Sequence, residues 1–357
     1  MPLPTRRRFL RKGVAGAGMA VAGGAAALMP RKANAYYTGP VSDHFNGEHF
    51  FNPGGQSPRG LWQVARLYAA ENWAAWPAAL PSPFPPDKPP PRVDGSRARL
   101  VLIGHASWLI QSGGRNILID PVWVDRVSPL SFAGPCRANP PGIAFDDLPP
   151  IDTVIVTHNH YDHMDVATLA RLWQRDRPKI VTPLGNDAIM RSAIPGIETR
   201  AVDWGETIEL GGLPVHAVPT LHWSARGTRD RRHALWASFV LETPAGKVYA
   251  IGDTGFGDGA IFRHVAERHP GLRLALLPIG AYEPRWFMQG HHMNPADAVE
   301  ALRLSGAEMA LGHHWGTFQL TTERHDQPLA DLEAALARSD VTRDRFRAMR
   351  PGQIFEI

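Results

Sequence analysis

Cysteine is almost absent from this chain of 357 residues, in which Cys136 is the only example. A single cysteine excludes an intramolecular disulfide, even in an oxidising compartment. Long apolar runs are also missing beyond the first 35 residues, so no later segment is predicted to span a bilayer as a helix. Disulfides within the chain therefore contribute nothing to the stability of the fold.

The first 35 residues are basic and contain no acidic residue. A twin arginine within residues 5–12 is followed by a Gly/Ala-rich, mildly apolar stretch and by the string Ala33-Asn34-Ala35. This order is typical of a twin-arginine export signal, so we expect cleavage after Ala35 and a periplasmic mature protein; an uncleaved anchor is the alternative. Loss of seven basic residues changes the formal net charge from +4 (38 basic, 34 acidic) to −3 (31 basic, 34 acidic). An acidic mature chain predicts no nucleic-acid partner.

The rest of the chain divides into two regions by composition. Residues 36–97 are predicted to form an N-terminal extension, with a tryptophan-rich helix from Leu61 to Leu80 and a proline-rich connector over residues 81–92. Residues 98–357 alternate short apolar strands with helices, which predicts one large α/β catalytic domain.

The predicted strands of this domain are short, and glycine-containing turns at residues 113–114 and 243–246 predict two hairpins. Helices are predicted over residues 166–173 and 295–304. The strands are predicted over residues 99–103, 108–111, 116–119, 153–156, 179–182, 215–218, 236–242, 248–251, 274–277 and 309–311.

Four metal-ligand side chains lie within six residues, directly after an apolar, β-branched run. They are His158, His160, Asp162 and His163. In an extended turn His158 and His160 can both face one ion, whereas Asp162 and His163 face a second position nearby. Imidazole and carboxylate ligands without thiolate suit Zn²⁺, with Mn²⁺ or Fe as alternatives.

Further ligand candidates each follow the end of a predicted strand. His222 follows strand 215–218, Asp253 follows strand 248–251, and His313 and His314 follow strand 309–311. Side chains from different strand ends converge at a sheet edge, so these residues are expected to complete the site.

Several other strings accompany these ligands and together indicate a resemblance to one family. They are His105-Ala106-Ser107, Asp120-Pro121-Val122-Trp123, Ser131-Phe132-Ala133-Gly134-Pro135, His222-Trp223-Ser224-Ala225-Arg226, Gly280-Ala-Tyr-Glu-Pro-Arg-Trp-Phe-Met288, His292-Met-Asn-Pro295 and His314-Trp-Gly-Thr-Phe318. Together with the HxHxDH signature of the metallo-β-lactamase superfamily, they resemble the N-acylphosphatidylethanolamine-hydrolysing phospholipase D family from about Ala98 to Phe318.

The resemblance implies a four-layer αββα sandwich, the metallo-β-lactamase fold, and two zinc ions. One zinc would be held by His158, His160 and His222. The other would be held by Asp162, His163 and His314, with Asp253 bridging both. His314 is favoured over His313 because it adjoins the Trp-Gly-Thr-Phe string.

The implied reaction is phosphodiester hydrolysis of N-acylphosphatidylethanolamine to N-acylethanolamine and phosphatidic acid, with a hydroxide shared by the two ions as nucleophile. Asp253 and His292 are the predicted catalytic residues. His292, Arg226 and Tyr282 are predicted to bind substrate, and His291 and Arg285 are weaker candidates.

His105 and Asp120 have two interpretations, either as partners that orient metal ligands or as turn and hairpin residues. The same ions could instead serve hydrolysis of a lactone, ester or lactam. The expected partners are a phospholipid and a membrane surface contacted through residues 61–80, with a homodimer as an additional hypothesis.

Overall fold

The computed structural model describes residues 34–55 and 57–357. The twin-arginine string and the apolar stretch of the predicted signal lie outside the described residues, and only Asn34 and Ala35 of that segment are described. Among the described helices, none has the length and apolar character needed to cross a membrane.

Seven strands form the first sheet. In spatial order they are Ile354–Glu356 (β14), Ala98–Gly104 (β1), Ser107–Ser112 (β2), Arg115–Ile119 (β3), Thr153–Ile155 (β4), Lys179–Pro183 (β5) and Thr199–Val202 (β6). The pairs from β14 to β3 are antiparallel, and those from β3 to β6 are parallel. The predicted hairpin at residues 113–114 joins β2 to β3, and both glycines have the positive φ that such a turn requires.

The second sheet repeats this pattern. Its seven strands, in spatial order, are Thr207–Glu209 (β7), Pro214–Val218 (β8), Ser238–Thr243 (β9), Gly246–Ala250 (β10), Leu272–Pro278 (β11), Met309–His313 (β12) and Phe346–Ala348 (β13). Three antiparallel pairs from β7 to β10 precede three parallel pairs from β10 to β13. The two sheets are therefore two similar halves, although no repeat is obvious in the sequence.

Seven α-helices are assigned in the described part of the chain. They are Leu61–Ala70 (α1), Val166–Asp176 (α2), Asn186–Ala193 (α3), Ala260–Arg268 (α4), Arg285–Met288 (α5), Pro295–Ser305 (α6) and Gln327–Leu336 (α7). Helix α6 begins at a capping box in which Asn294 accepts from the Asp297 N–H and the Asp297 side chain accepts from the Asn294 N–H.

Alternation along the strands produces a core on both faces of each sheet. Leu100 and Val248 face the space between the sheets, where they belong to one buried cluster. Their neighbours face outward: Val101 joins a cluster that includes α2, and Tyr249 joins a cluster that includes α4 and α6. Helices thus cover both outer faces, which confirms the predicted αββα sandwich.

The predicted helix from Leu61 to Leu80 is wrong in its second half. Helix α1 ends at Ala70, and Glu71 is extended, with φ −94° and ψ 144°. The extended chain allows Glu71 to accept a hydrogen bond from Trp286 Nε1 at 2.8 Å and Trp76 Nε1 to donate to the Glu323 carbonyl at 2.9 Å. Contacts with the domain override the helical pattern here. Trp62, one of the tryptophans of this predicted helix, is 81% exposed.

Substitution of Leu100 by Ala tests the packing between the sheets. The side chain is fully buried, so its removal leaves a cavity, and we expect the free energy of unfolding to fall by about 2–5 kcal/mol. Chemical denaturation would measure this change. The matched control is Val41→Ala at a position 70% exposed, where the expected change is within about 0.5 kcal/mol. Equal losses in the two variants would contradict the assigned core.

Candidate metal centre

The candidate ligands lie on loops that leave four strands at one edge of the sandwich. The string 158–163 follows β4, His222 follows β8, Asp253 follows β10, and His314 follows β12. Two of these loops approach closely. A Cβ on Gly252 would lie 2.2 Å from Thr157 Oγ1, so only glycine lets the Asp253 loop approach the histidine loop.

Three imidazoles converge on one point. His160 Nδ1 lies 3.0 Å from His158 Nε2 and 3.1 Å from His222 Nε2. Asp253 Oδ2 lies 3.6 Å from His222 Nε2 and 3.8 Å from His158 Nε2, so it completes a set of four ligand atoms.

A second set of ligand atoms lies beside the first. Asp162 Oδ2 is 3.5 Å from His163 Nε2 and 3.4 Å from His314 Nε2. Asp253 also reaches these imidazoles, with Oδ2 at 3.1 Å from His163 Nε2 and Oδ1 at 2.9 Å from His314 Nε2. Its single carboxylate therefore contacts ligand atoms of both sets.

The residues present fit divalent metal ions. Ligands at 2.0–2.1 Å around a tetrahedral ion are about 3.3 Å apart, close to the separations observed among the three imidazoles of the first set. Neutral imidazole nitrogens this close repel one another unless a cation or proton lies between them. Burial strengthens this argument, because His158, His163, His222 and His314 are at most 1% exposed and water cannot easily compensate the repulsion.

The two adjacent histidines of the last loop have different surroundings. His314 enters the second set, in a left-handed conformation with φ 65°. His313 ends β12 and faces Trp108, with ring centroids 6.0 Å apart. A Cβ on Gly280 would lie 2.1 Å from the His314 carbonyl, so this backbone turn is packed tightly against a neighbouring loop.

Asp120 orients the histidine loop. Its carboxylate accepts from Thr157 N and Thr157 Oγ1, both at 2.7 Å, and contacts His163 Nδ1 at 2.7 Å. The last contact fixes the ring so that Nε2 faces the ligand set, which is the usual function of a carboxylate behind a metal-binding histidine. The sequence left two interpretations of Asp120, and these contacts favour the one in which it orients a candidate metal ligand.

His105 contacts the second set from its other side. Its Nε2 lies 2.9 Å from Asp162 Oδ2, and its ring centroid lies 3.9 Å from that of His314. Its backbone carbonyl accepts from the His314 N–H at 2.8 Å, while its own N–H donates to Thr317 Oγ1 at 3.1 Å. His105 thus joins two residues of the set through both its ring and its backbone.

Comparison with known proteins agrees with this geometry. The pattern of the β-lactamase superfamily domain matches residues 115–315. N-acyl-phosphatidylethanolamine-hydrolyzing phospholipase D 1 of Caenorhabditis elegans is 37% identical over 265 residues, which cover 71% of this chain and 74% of that protein. The chain belongs to the metallo-β-lactamase superfamily.

Other relatives widen the comparison to metal-dependent hydrolases. A metal-dependent hydrolase of Pyrobaculum aerophilum is 30% identical over 262 residues, covering 71% of this chain and 97% of that protein. The solved structure of Igni18, a metallo hydrolase of Ignicoccus hospitalis, aligns with a TM-score of 0.53 at 21% identity, over 73% of this chain and 98% of that one, and shows the shared fold. The protein is a metal-dependent hydrolase of this superfamily.

Burial lowers the pKa of some histidines of the site, whereas nearby carboxylates raise the pKa of others. Burial lowers the pKa of His158 and His222 well below its usual value, and that of His160 to about 4. Burial also acts on His314, but the carboxylates of Asp253 and Asp162 outweigh it and raise the pKa to about 9. Without a metal ion the hydrolase therefore places a proton where a cation would bind.

The pKa values of Asp162, Asp253 and His163 depend on the same two effects. Burial raises the pKa of Asp162 and Asp253, but neighbouring imidazoles, His163 and His314 among them, outweigh it and hold both values well below the usual range. The three carboxylates around His163 overcome burial and raise its pKa well above the usual value. Both carboxylates are thus ionised and ready to bind a cation.

Two of the three predicted substrate-binding residues are engaged elsewhere. Arg226 Nη1 donates to the carbonyls of Asn159 at 3.1 Å and Met164 at 2.8 Å, so its guanidinium braces the histidine loop. Tyr282 donates its hydroxyl proton to Asp331 on α7 at 2.5 Å. The described hydrogen bonds of Arg226 and Tyr282 thus lie within the fold, and a substrate contact by either residue stays a prediction.

His292 lies beside both ligand sets, and its contact with substrate stays a prediction. Its ring centroid lies 5.2 Å from that of His222 and 5.6 Å from that of His314. Arg285, a weaker candidate for phosphate, donates instead to the His292 carbonyl at 3.0 Å and to Asp297 at 2.7 Å. His291 supports the site through its backbone, since its carbonyl lies 3.1 Å from His222 Nδ1.

Sequence reasoning missed Thr157 and Asn52. Thr157 directly precedes the histidines but resembles any strand residue, and its contact with Asp120 spans 37 residues. Asn52 Nδ2 donates to the His222 carbonyl at 2.9 Å across 170 residues. Only the string Phe51-Asn52-Pro53 in the extension offered a signal for the second residue.

Substitution of Asp120 by Asn tests its orienting function. The amide has the shape of the carboxylate but lacks its charge, so we expect metal affinity to fall about 10- to 100-fold. Competition with a chromogenic chelator would measure the change. Asp187→Asn is the matched control, because Asp187 forms its ion pair with Arg191, four residues along α3 and away from the ligand sets. Wild-type affinity in the Asp120 variant would refute the assignment.

Metal uptake by the apoprotein is expected to depend on pH. Since the pKa of His314 is raised from about 6.5 to about 9, its protonated form stabilises the apoprotein fully below pH 6.5 and progressively less up to pH 9. Metal must displace that proton, so affinity should rise by up to about tenfold per pH unit over the same range.

Thermal unfolding of apoprotein and metal titration at pH 6.5 and 9 would measure both trends. The unfolding temperature should fall with pH while the affinity rises. In His314→Gln, both the fall of the unfolding temperature and the rise of the metal affinity with pH should be smaller. A wild-type apoprotein that becomes more stable towards pH 9 would contradict the assigned protonation.

Proposed function

We propose that the hydrolase is a zinc-dependent phosphodiesterase that cleaves N-acylphosphatidylethanolamine into N-acylethanolamine and phosphatidic acid. The observation that carries the proposal is the pair of adjacent ligand sets joined by the Asp253 carboxylate. Metal ions held by these residues would supply positive charge beside a phosphodiester. Similarity to the nematode phospholipase D supports the choice of lipid.

Two zinc ions fit the donors of the site. His158, His160 and His222 would hold one, Asp162, His163 and His314 the other, with Asp253 contacting both. Nitrogen and carboxylate donors without sulfur also suit Mn²⁺ and Fe. When bound, the ions supply Lewis acidity and an activated water at neutral pH.

His292 is the residue of this chain best placed to contact the substrate. It is 8% exposed, faces both ligand sets, and its Nδ1 has no hydrogen-bond partner among the described residues. Arg285 fixes its carbonyl, so the ring is held from behind. We assign to His292 a hydrogen bond to the phosphate or to the leaving-group oxygen.

The extension supports access by a lipid. Trp286, six residues before His292, donates to Glu71 and lies beneath the Arg66 guanidinium at 4.5 Å, so α1 packs beside the site. Trp62 on the same helix is 81% exposed, and Tyr68 is 49% exposed. Exposed aromatic rings beside basic groups favour a membrane interface.

The proposal includes two further features, export to the periplasm and a homodimer contact. The N-terminal pattern supports export to the periplasm and cleavage after Ala35. Exposure of α1 also suits a homodimer contact, which equilibrium sedimentation with and without lipid micelles would distinguish from a membrane contact.

The proposal is tested by substrate comparison on purified protein with its metal content measured. We expect two zinc ions per chain and preferential turnover of N-acylphosphatidylethanolamine in mixed micelles over bis(p-nitrophenyl) phosphate, a lactone and a β-lactam. Asp253→Ala should abolish turnover, and His292→Gln should reduce it about 10²- to 10⁴-fold.

His216→Gln is the matched control, because this histidine contacts Glu242 and Thr207 on the second sheet. Its activity should equal that of the wild type. Turnover of only the lactone or lactam would replace phosphodiester cleavage with carbonyl hydrolysis.

A further inference from the structure

The N-terminal strap, defined as residues 36–52, packs against the loops that bear the metal ligands. Phe45 and Phe50 of the strap are buried in a cluster with Leu235 and Trp236. The Phe50 N–H also donates to the Arg232 carbonyl at 2.8 Å. The strap therefore belongs to the packed domain rather than to a loose lead-in.

Asn52 ends the strap directly behind His222. Its Nδ2 donates to the His222 carbonyl at 2.9 Å, and its Oδ1 accepts from Trp236 Nε1 at 2.9 Å. The other side of His222 is also held, since Nδ1 lies 3.1 Å from the His291 carbonyl. His222 is thus fixed at its backbone by Asn52 and at its ring by His291, which leaves Nε2 aimed at the first ligand set.

Tyr36 connects the other end of the strap to the histidine loop. Its hydroxyl donates to Asp230 Oδ2 at 2.8 Å, and the same oxygen accepts from the Arg226 N–H at 3.0 Å. Arg226 in turn holds the carbonyls of Asn159 and Met164. This chain of hydrogen bonds leads from the strap to the backbone on both sides of the string 160–163.

We propose that the strap is a positioning element of the metal centre, with Asn52 as its principal residue and Tyr36 as its second contact. It sets the first ligand set, His158, His160 and His222, because His222 lies on a loop with no strand pairing of its own. The second set is anchored independently by Asp120 and His105. The proposal concerns metal retention and does not depend on the identity of the substrate.

The test uses the full-length protein with Asn52→Leu, which keeps the volume of the side chain and removes both hydrogen bonds. Apoprotein is titrated with Co²⁺, and its visible absorption bands and the affinity of each equivalent are recorded. We expect one of two equivalents to bind about 10- to 100-fold more weakly with altered bands, and the other to be unchanged.

Asn46→Leu is the matched control, because exposed Asn46 accepts only from Glu48 N and His49 N within the strap. It should bind both equivalents as the wild type does. Apoprotein unfolding temperatures are measured for both variants, so that a general loss of stability, which would weaken both equivalents alike, is recognised and counts against the proposal.

Tyr36→Phe provides a second measurement, which can still be made if Asn52→Leu fails to fold. Loss of one hydroxyl should weaken the same equivalent by a smaller factor, about 2- to 10-fold. The other equivalent should change less, because Asp120 and His105 also hold its ligands. Wild-type Co²⁺ affinities and spectra in Tyr36→Phe, or in folded Asn52→Leu, would overturn the proposal.

Discussion

The Asp253 carboxylate is the constraint on which the centre depends. It is buried, and its two oxygens contact imidazoles of both ligand sets, so both sets must be assembled around it. An ionised carboxylate in a dry interior costs several kcal/mol unless cationic partners surround it. The four strand ends, the glycine at position 252 and the tight turn at His314 all bring those partners to it.

A layer of hydrogen bonds behind the ligands then fixes their directions. Asp120 turns His163, His105 contacts Asp162 and His314, and Arg226 holds the backbone of the histidine loop. His105, Asp120 and His314 all have positive φ, which is uncommon outside glycine and is maintained here by dense packing. Three of the six described non-glycine residues with positive φ thus lie at the metal centre.

Local patterns predicted the alternation of strands and helices and placed the ligand candidates directly after strands. The αββα sandwich and the division of seven ligands between two ions came from the family resemblance. It did not predict where α1 ends, since contacts of Glu71 and Trp76 with distant residues decide that point. Helices α3, α4 and α7 were missed as well; α3 and α4 begin at glycines without a side-chain cap, so their start lacks the usual signal.

Functional assignments of single polar residues were the least predictable. Arg226, Arg285 and Tyr282 carry donors suited to a phosphate, but their observed partners lie within the fold. Thr157 and Asn52 carry no such signal and yet contact the residues that orient or bear ligands. Side-chain direction depends on tertiary contacts that span up to 170 residues.

The similarity of the two sheets places two aspartates at related positions. Asp120 follows the end of β3 by one residue, and Asp253 follows the end of the corresponding strand, β10, by three. Two additional residues extend the reach of a chain by about 7 Å. The two aspartates therefore differ in the length of chain that separates each from its strand: the nearer one contacts His163 from behind, and the farther one lies among the candidate ligand atoms of both sets. In two halves this similar, a difference of two loop residues accompanies the difference between a supporting carboxylate and a candidate metal ligand.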